Sequence, residues 1–225
     1  MSVATRAACA LIVVAKAPRP GHVKTRLATS LAPEAVVTLY RCMIEDTLEL
    51  ARSLRDTRVA VVCPGADVGE LRSWLGTSVE IVAQHGHGLA AALDSTFRFF
   101  LGEGVDRVVI FNGDSPHLPS AELERAFTLL DGCDLVVGPT TDGGYYLVGA
   151  SVEHPDLFEA SRLGTQTALE ALLARAGELG LRIGMTAPWY DVDDPDDLAR
   201  LAMDLQRAPA RARRTEALLA RWRLV

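Results

Sequence analysis

The chain has 225 residues, 49% of them hydrophobic and 23% charged, with 4 cysteines and a formal charge of −6. That length can bury a full core as one α/β domain without disulfide or metal staples. The acidic balance excludes a general grip on nucleic acid, and no stretch reaches the ~20 apolar residues that cross a bilayer.

Residues 7–15 form an apolar run after Arg6. The run resembles a short secretory core, but Ile12, Val13 and Val14 are β-branched and a charged loop follows at once. It therefore reads as a buried first strand, and the protein as cytoplasmic and unprocessed. Further apolar runs at 59–63, 79–82, 105–111 and 135–137 read as strands buried on both faces. Amphipathic stretches at 33–54, 68–75, 89–101 and 121–130 read as the helices between them. Pro33 suits the first helical position, and Ser120 reads as a cap. This alternation predicts a mostly parallel sheet with helices on both sides.

Beyond Val137 the order loosens. A strand at 145–148, a helix at 166–179, a short strand at 181–184 and a helix at 195–206 are expected. An Ala/Arg-rich helix at 208–222 follows, which could also pack on a second copy of the chain. Without repeats or a Pro/Gly/Ser-rich linker, residues 1–207 read as one domain, with 208–225 as a C-terminal helix packed on it. Cys9, Cys42, Cys63 and Cys133 form no CxxC pair. They read as small buried hydrophobes of a reducing compartment rather than as ligands or disulfides.

Open parallel sheets bind ligands beyond the carboxyl ends of their strands, and the unusual residues fall there. The loop after the first strand packs Lys16, Arg19, Lys24 and Arg26 into eleven residues, with Pro18, Pro20 and Gly21 shaping its backbone. Such clustered cations suit a di- or triphosphate, although P-loop spacing is absent and a solvated basic turn competes. After the most hydrophobic strand, Asp114 sits on a turn set by Gly113 and Pro116. A carboxylate there can meet a hard divalent cation, or serve only the turn.

In the run from Asp191 to Asp197, extended backbone points Asp191 and Asp193 the same way, toward one metal. Asp194, Asp196 and Asp197 instead suit the N-terminus of the helix opening at Pro195. A competing reading makes all five helix charges. Asp142 could bind a hydroxyl or amine, while Gly143 and Gly144 allow close backbone approach to a ligand. Tyr145 and Tyr146 either stack on a ligand or pack, with only one of them inward. Gln84 and Gly88, before the third helix, could lie against a base or sugar. His85 and His87 do not suggest zinc, and His22 and His117 are candidate phosphate contacts.

The segments KAPRPGHVKTRL (16–27), GDSPHLP (113–119), GPTTDGGYYLVG (138–149) and DVDDPDDL (191–198) together carry a resemblance. The chain resembles the DUF2064, glycosyltransferase-like group of the GT-A nucleotide-diphospho-sugar transferase superfamily. It is similar also to the phospholactate/phosphoenolpyruvate guanylyltransferases of coenzyme F420 synthesis. The resemblance implies a single-domain, Rossmann-like α/β/α sandwich with a nucleotide under the first loop. It also implies a divalent ion, Mg²⁺ or Mn²⁺, at Asp114, Asp191 and Asp193. Carried over by position, Lys24 and Arg26 would hold phosphates, with Lys16, Arg19, Gly21, Gln84 and Gly88 around the nucleotide. Asp142, Gly143, Gly144 and Tyr145 would line the acceptor pocket, and Lys24, Asp114 and Asp142 would be catalytic. The chain departs from the DUF2064 pattern where a Leu-Gly-x-Arg run gives way to Leu89-Ala90-Ala91-Ala92. The stretch GLAAAL (88–93) is closer to the guanylyltransferases.

Three functions follow. The first is nucleotidyl transfer from an NTP to a small phosphorylated or acidic acceptor with pyrophosphate release, which four cations in one loop favour. The second is glycosyl transfer from an NDP-sugar, and the third is non-catalytic nucleotide binding. For either transfer, Asp114→Asn and Asp193→Asn should remove most activity and leave unfolding nearly unchanged, because unpaired surface carboxylates add little stability.

Overall fold

The computed structural model describes residues 8–158 and 163–224. Arg6 and Ala7, where the first apolar run opens, lie outside the described residues, as does Val225 at the end of the C-terminal segment. The seven strands are β1 (Cys9–Val14), β2 (Thr57–Cys63), β3 (Glu80–Ala83), β4 (Arg107–Asn112), β5 (Leu135–Pro139), β6 (Tyr145–Ala150) and β7 (Ile183–Met185). They form one sheet in the order β3-β2-β1-β4-β6-β5-β7. All pairings are parallel except those of β6, which runs antiparallel to β4 and β5. The helices are α1 (Pro33–Ser53), α2 (Val68–Leu75), α3 (Gly88–Gly102), α4 (Ser120–Leu129), α5 (Ala168–Glu178), α6 (Pro195–Arg207) and α7 (Arg213–Arg221).

Strand alternation divides the core between the two faces of the sheet. Leu11, Val13, Val61, Val109 and Phe111 pack with Ile44 and Leu48 of α1, Leu71 of α2 and Leu123 of α4. Ala10, Ile12, Val62, Val108 and Ile110 pack with Phe97 and Phe100 of α3 and Leu172 of α5 on the other face. Each fully buried large side chain contributes about 1.5–3 kcal/mol, so the central strands are held from both sides. A third cluster joins the outer face of α1 (Val36, Leu39, Met43) to Leu27, Tyr190, Val192, α6 and α7. It fixes the first loop and the Asp191 segment against one helix.

Three local expectations are corrected. Ser120 is the first residue of α4 rather than its cap, and Pro119 takes the cap position with no side-chain bond. The helix expected from residue 166 opens at Ala168, because Thr165 and Gln166 belong to the wall of a cleft. The helix expected at 208–222 is broken: a 3-10 turn at Pro209–Arg211 precedes α7. The break has a tertiary cause. Asp46 of α1 is 3% exposed and accepts bonds from the Thr215 amide at 2.8 Å, the Thr215 hydroxyl at 2.7 Å and the Arg214 amide at 3.0 Å. That carboxylate satisfies the first amides of α7, so a new helix starts there. All four cysteines are free, and Cys63 is buried. No helix among the described residues is long and apolar enough to cross a membrane.

Candidate active site

β1 and β4 end side by side at the centre of the sheet, Val14 opposite Asn112. Beyond them lies a cleft of about 560 Å³, within the roughly 300–1,000 Å³ of small-molecule sites. The first loop leaves β1 and is pinned from two helices. The Lys16 amide donates to the Tyr40 hydroxyl of α1 at 2.9 Å, and the Ala17 amide donates to Asp67 at 3.0 Å. The chain then turns so that Lys24 adopts the left-handed conformation (φ 45, ψ 46) and sends its side chain inward.

Lys24 is the centre of the polar network. Its side chain is 4% exposed, and its ammonium lies against Asp114 and, at 2.9 Å, Asp193 Oδ1. Arg26 donates to the other Asp193 oxygen at 2.6 Å. Burial by itself would lower the Lys24 pKa, but the two carboxylates outweigh it and hold the pKa above the ordinary value. Burial likewise would raise Asp193, and Lys24 followed by Arg26 brings its pKa below normal. Asp191 goes the other way. Burial first, then the Asp114 charge, pushes its carboxyl up to about 6, against hydrogen bonds from Asn112 and Ser115. Those bonds reach Asp191 Oδ1 at 2.9 and 2.8 Å.

The loop after β4 and the Asp191 segment are joined through backbone as well. The Val192 amide donates to the Asp114 carbonyl at 2.9 Å, and the Ser115 hydroxyl, whose single proton is shared with Asp191, also lies 2.8 Å from the Tyr190 carbonyl. Asn112 braces both loops, its amide nitrogen on Asp191 and its oxygen accepting from the Asp114 amide at 3.2 Å. Asp194 turns away and caps α6, accepting from the amides of Asp196 and Asp197, while Asp197 bonds back in a capping box.

The structure brings Lys16, Lys24, Arg26, Asp114, Asp142, Gly144, Tyr145, Asp191 and Asp193 to this one cleft. Arg19 is not among its walls. Its guanidinium faces the start of α2, on Asp67 at 2.9 Å and Glu70 at 2.7 Å. Gly21, Gln84 and Gly88 also stay off the walls, and the Gln84 amide nitrogen bonds the Gly86 carbonyl at 3.4 Å. The close approach that Gly143 permits is to protein, not to a ligand: a Cβ there would lie 2.0 Å from the Gln166 carbonyl oxygen. His117 is likewise no phosphate contact. It is 1% exposed, packed at a tilt against the rings of Trp189 and Tyr190, and burial drops its pKa to about 4. His22 does line the cleft. Both tyrosines border the cleft, Tyr146 almost wholly buried with its hydroxyl on Thr186 at 2.7 Å, and Tyr145 near Leu89, Leu93 and Leu163 of the same lining.

Among the described residues, no three His, Cys, Asp or Glu side chains are disposed as a metal site. Asp114 and Asp191 nevertheless repel each other, the condition that a divalent cation relieves. The Asp193 carboxylate is already engaged by two cations. Asp114 and Asp191 therefore fit such an ion better than the full set of three. Sequence reasoning passed over Asn112, Ser115 and Tyr40. Asn112 carried one signal, a lone amide at the end of an otherwise apolar strand. The network also removes the reason given for unchanged unfolding in Asp114 and Asp193 variants, since neither carboxylate is unpaired.

The chain is similar to known transferases along most of its length. The chain is 29% identical over 208 residues, 90% of its length and 87% of the relative's, to a 2-phospho-L-lactate guanylyltransferase of Methanothermobacter thermautotrophicus. It is 27% identical over 194 residues, 85% of its length and 92% of the relative's, to a phosphoenolpyruvate guanylyltransferase of Sphaerobacter thermophilus. A solved structure of a candidate nucleotide-diphospho-sugar transferase from Desulfovibrio desulfuricans G20 superposes with a TM-score of 0.89 at 29% identity, over 96% of this chain and 95% of that one. Residues 47–165 match the model of a family described as uncharacterized proteins conserved in bacteria, DUF2064. That match covers more than half of the sequence and includes the Asp114 and Asp142 loops, so the chain belongs to the DUF2064 family.

Proposed function

We propose that this transferase moves an NMP from an NTP to a small phosphorylated or acidic acceptor, releasing pyrophosphate. One observation carries the reading: Lys16, Lys24 and Arg26 converge with Asp114, Asp191 and Asp193 on a single cleft at the strand ends. The cations would draw the triphosphate to the first loop, and an acceptor oxygen would attack the α-phosphorus. The bond from that phosphorus to the bridging oxygen breaks, and the electron pair leaves with pyrophosphate. Lys16, Lys24 and Arg26 would meet the charge that grows on that leaving group. A divalent cation, Mg²⁺ or Mn²⁺, on Asp114 and Asp191 would neutralise phosphate oxygens. Asp142, fixed by the Thr140 hydroxyl at 2.5 Å and the Gly144 amide at 3.3 Å, would orient the acceptor beside Tyr145. The guanylyltransferase relatives and the GLAAAL stretch support this choice.

Glycosyl transfer from an NDP-sugar stays as the second reading because the Desulfovibrio structure is so similar. Incubation with each NTP or NDP-sugar, Mg²⁺ and a panel of phosphorylated hydroxy acids separates the two. Acceptor-dependent pyrophosphate is expected. Release of a nucleoside diphosphate instead would overturn the nucleotidyl reading.

A further inference from the structure

We propose that Lys24 is an internal counter-ion that excludes the divalent cation until a polyphosphate draws the ammonium away from Asp114 and Asp193. The inference rests on the reading above, in which a cation works in this cleft, and adds an order of binding to it. Three observations carry it. The Lys24 ammonium is already lodged between two of the carboxylates, and its side chain is almost wholly buried. No ready group of three metal-holding side chains exists among the described residues. And the cleft that the ammonium borders is also lined by Lys16, His22 and Arg26.

An ammonium and a divalent ion repel strongly at these separations and cannot share Asp114. Released into an empty cleft, the ammonium would face Lys16 and Arg26 with no anion between them, so the paired arrangement is favoured. A polyphosphate reverses this, because it offers Lys24 oxygens as good as those it leaves. Asp114 is then free, and the incoming cation bridges carboxylate and phosphate. Lys24 is a non-glycine residue in left-handed conformation between buried Val23 and Leu27, a geometry that persists only where the surroundings hold it, so the swing is one of the side chain rather than of the loop.

The size of the effect follows from the released population. Minor states commonly hold about 0.1–10% of the molecules. If Lys24 is off the acids in about one molecule in thirty, the apparent cation affinity is weakened by about thirtyfold. Coupling of that size lies inside the roughly 5- to 150-fold range of two-site linkages.

The test is a calorimetric titration with Mn²⁺ alone, in the absence of nucleotide, on wild type, Lys24→Gln and Lys16→Gln. Lys24→Gln is expected to bind Mn²⁺ about thirtyfold more tightly than wild type. Lys16→Gln removes the same charge from the same cleft but touches no carboxylate, and should change the affinity less than about threefold. Equal affinity in wild type and Lys24→Gln, or an equal gain in both variants, would overturn the counter-ion role and leave the transfer reading standing. No Mn²⁺ binding to any form, with or without GTP, would remove the cation from both. A second measurement needs no variant. Acetylation of Lys24 by acetic anhydride, followed by mass spectrometry, should be slow in EDTA and several-fold faster at saturating Mn²⁺. An unchanged rate with Mn²⁺ bound overturns the proposal.

Discussion

Replacing Gly143 by Ala tests whether the close approach at this residue serves the fold or a ligand. Gly143 sits at φ +91, where an L side chain is strained, and its added Cβ would lie 2.0 Å from the Gln166 carbonyl oxygen. The left-handed backbone alone costs about 1–2 kcal/mol. The clash is with backbone, which cannot swing aside as a side-chain tip can, and such overpacking adds about 1–3 kcal/mol. The Gly143 carbonyl also accepts from the Leu169 amide at 3.0 Å, so a shift of the turn pulls on the start of α5.

A loss of about 2–5 kcal/mol in urea unfolding is therefore expected for Gly143→Ala. Gly21→Ala is the control, because Gly21 has φ +74 with nothing within 4 Å of its added Cβ. It should lose only the conformational part, about 1–2 kcal/mol. Both variants should keep the wild-type denaturant slope. If Gly143→Ala loses no more than Gly21→Ala, the turn tolerates a methyl group and the tight contact is not real. The same substitution should raise KM for the acceptor, because Leu163, Gly164, Thr165 and Gln166 all line the cleft.

Three further outcomes are expected. Asp114→Asn and Asp193→Asn should each lower turnover by about a hundredfold or more and also destabilise the fold. Each leaves a buried ammonium with one carboxylate fewer; the exposure of the two acids (33% and 29%) and the surviving partner reduce the loss to about 1–3 kcal/mol. Thermal melts of the metal-free variants that match wild type would contradict the pairing. For Asp191, folding raises the pKa to about 6 from an ordinary 3.8. Between those values the native state keeps a proton that the unfolded chain has released, so metal-free stability should fall as pH rises from about 4 to 6 and level off above. Asp191→Asn should flatten that segment of a urea-midpoint profile, and an unchanged slope would assign it to another group. Arg19→Ala should leave KM for the nucleotide within about twofold while Arg26→Ala raises it by about tenfold, since Arg19 is spent on Asp67 and Glu70 and Arg26 faces the cleft. Equal steady-state effects would mean that Arg19 turns inward when ligand binds.

The parts of the fold legible in the sequence were those set by local pattern. Ile12, Val13 and Val14 announced a buried strand because β-branched residues between charged segments have few other places to go. The direction of β6 was not legible, since Tyr145–Ala150 reads the same whichever way it pairs. Nor was the break before α7, which depends on Asp46, 168 residues from its bonding partner Arg214. An Ala/Arg run signals only helix, and where that helix starts is decided by a carboxylate from α1.

The candidate site divides along the same line. That cations follow β1 and acids follow β4 was plain from position, because strand ends collect ligand-binding residues. How those charges pair was not, and pairing decides what remains for a ligand. Of the four cations in the first loop, Arg19 is held by Asp67 and Glu70, and Lys24 and Arg26 are held by Asp114 and Asp193. Lys16 alone of the four has no carboxylate partner among the described residues. Counting positive residues therefore overstates the attraction this loop offers to a free triphosphate. On the proposed function, a bound polyphosphate would exchange partners with the acids rather than fill an open basic pocket, and a cation following it would take the place that Lys24 gives up. The charge that would draw a nucleotide and the charge that completes the acid cluster are then one balance.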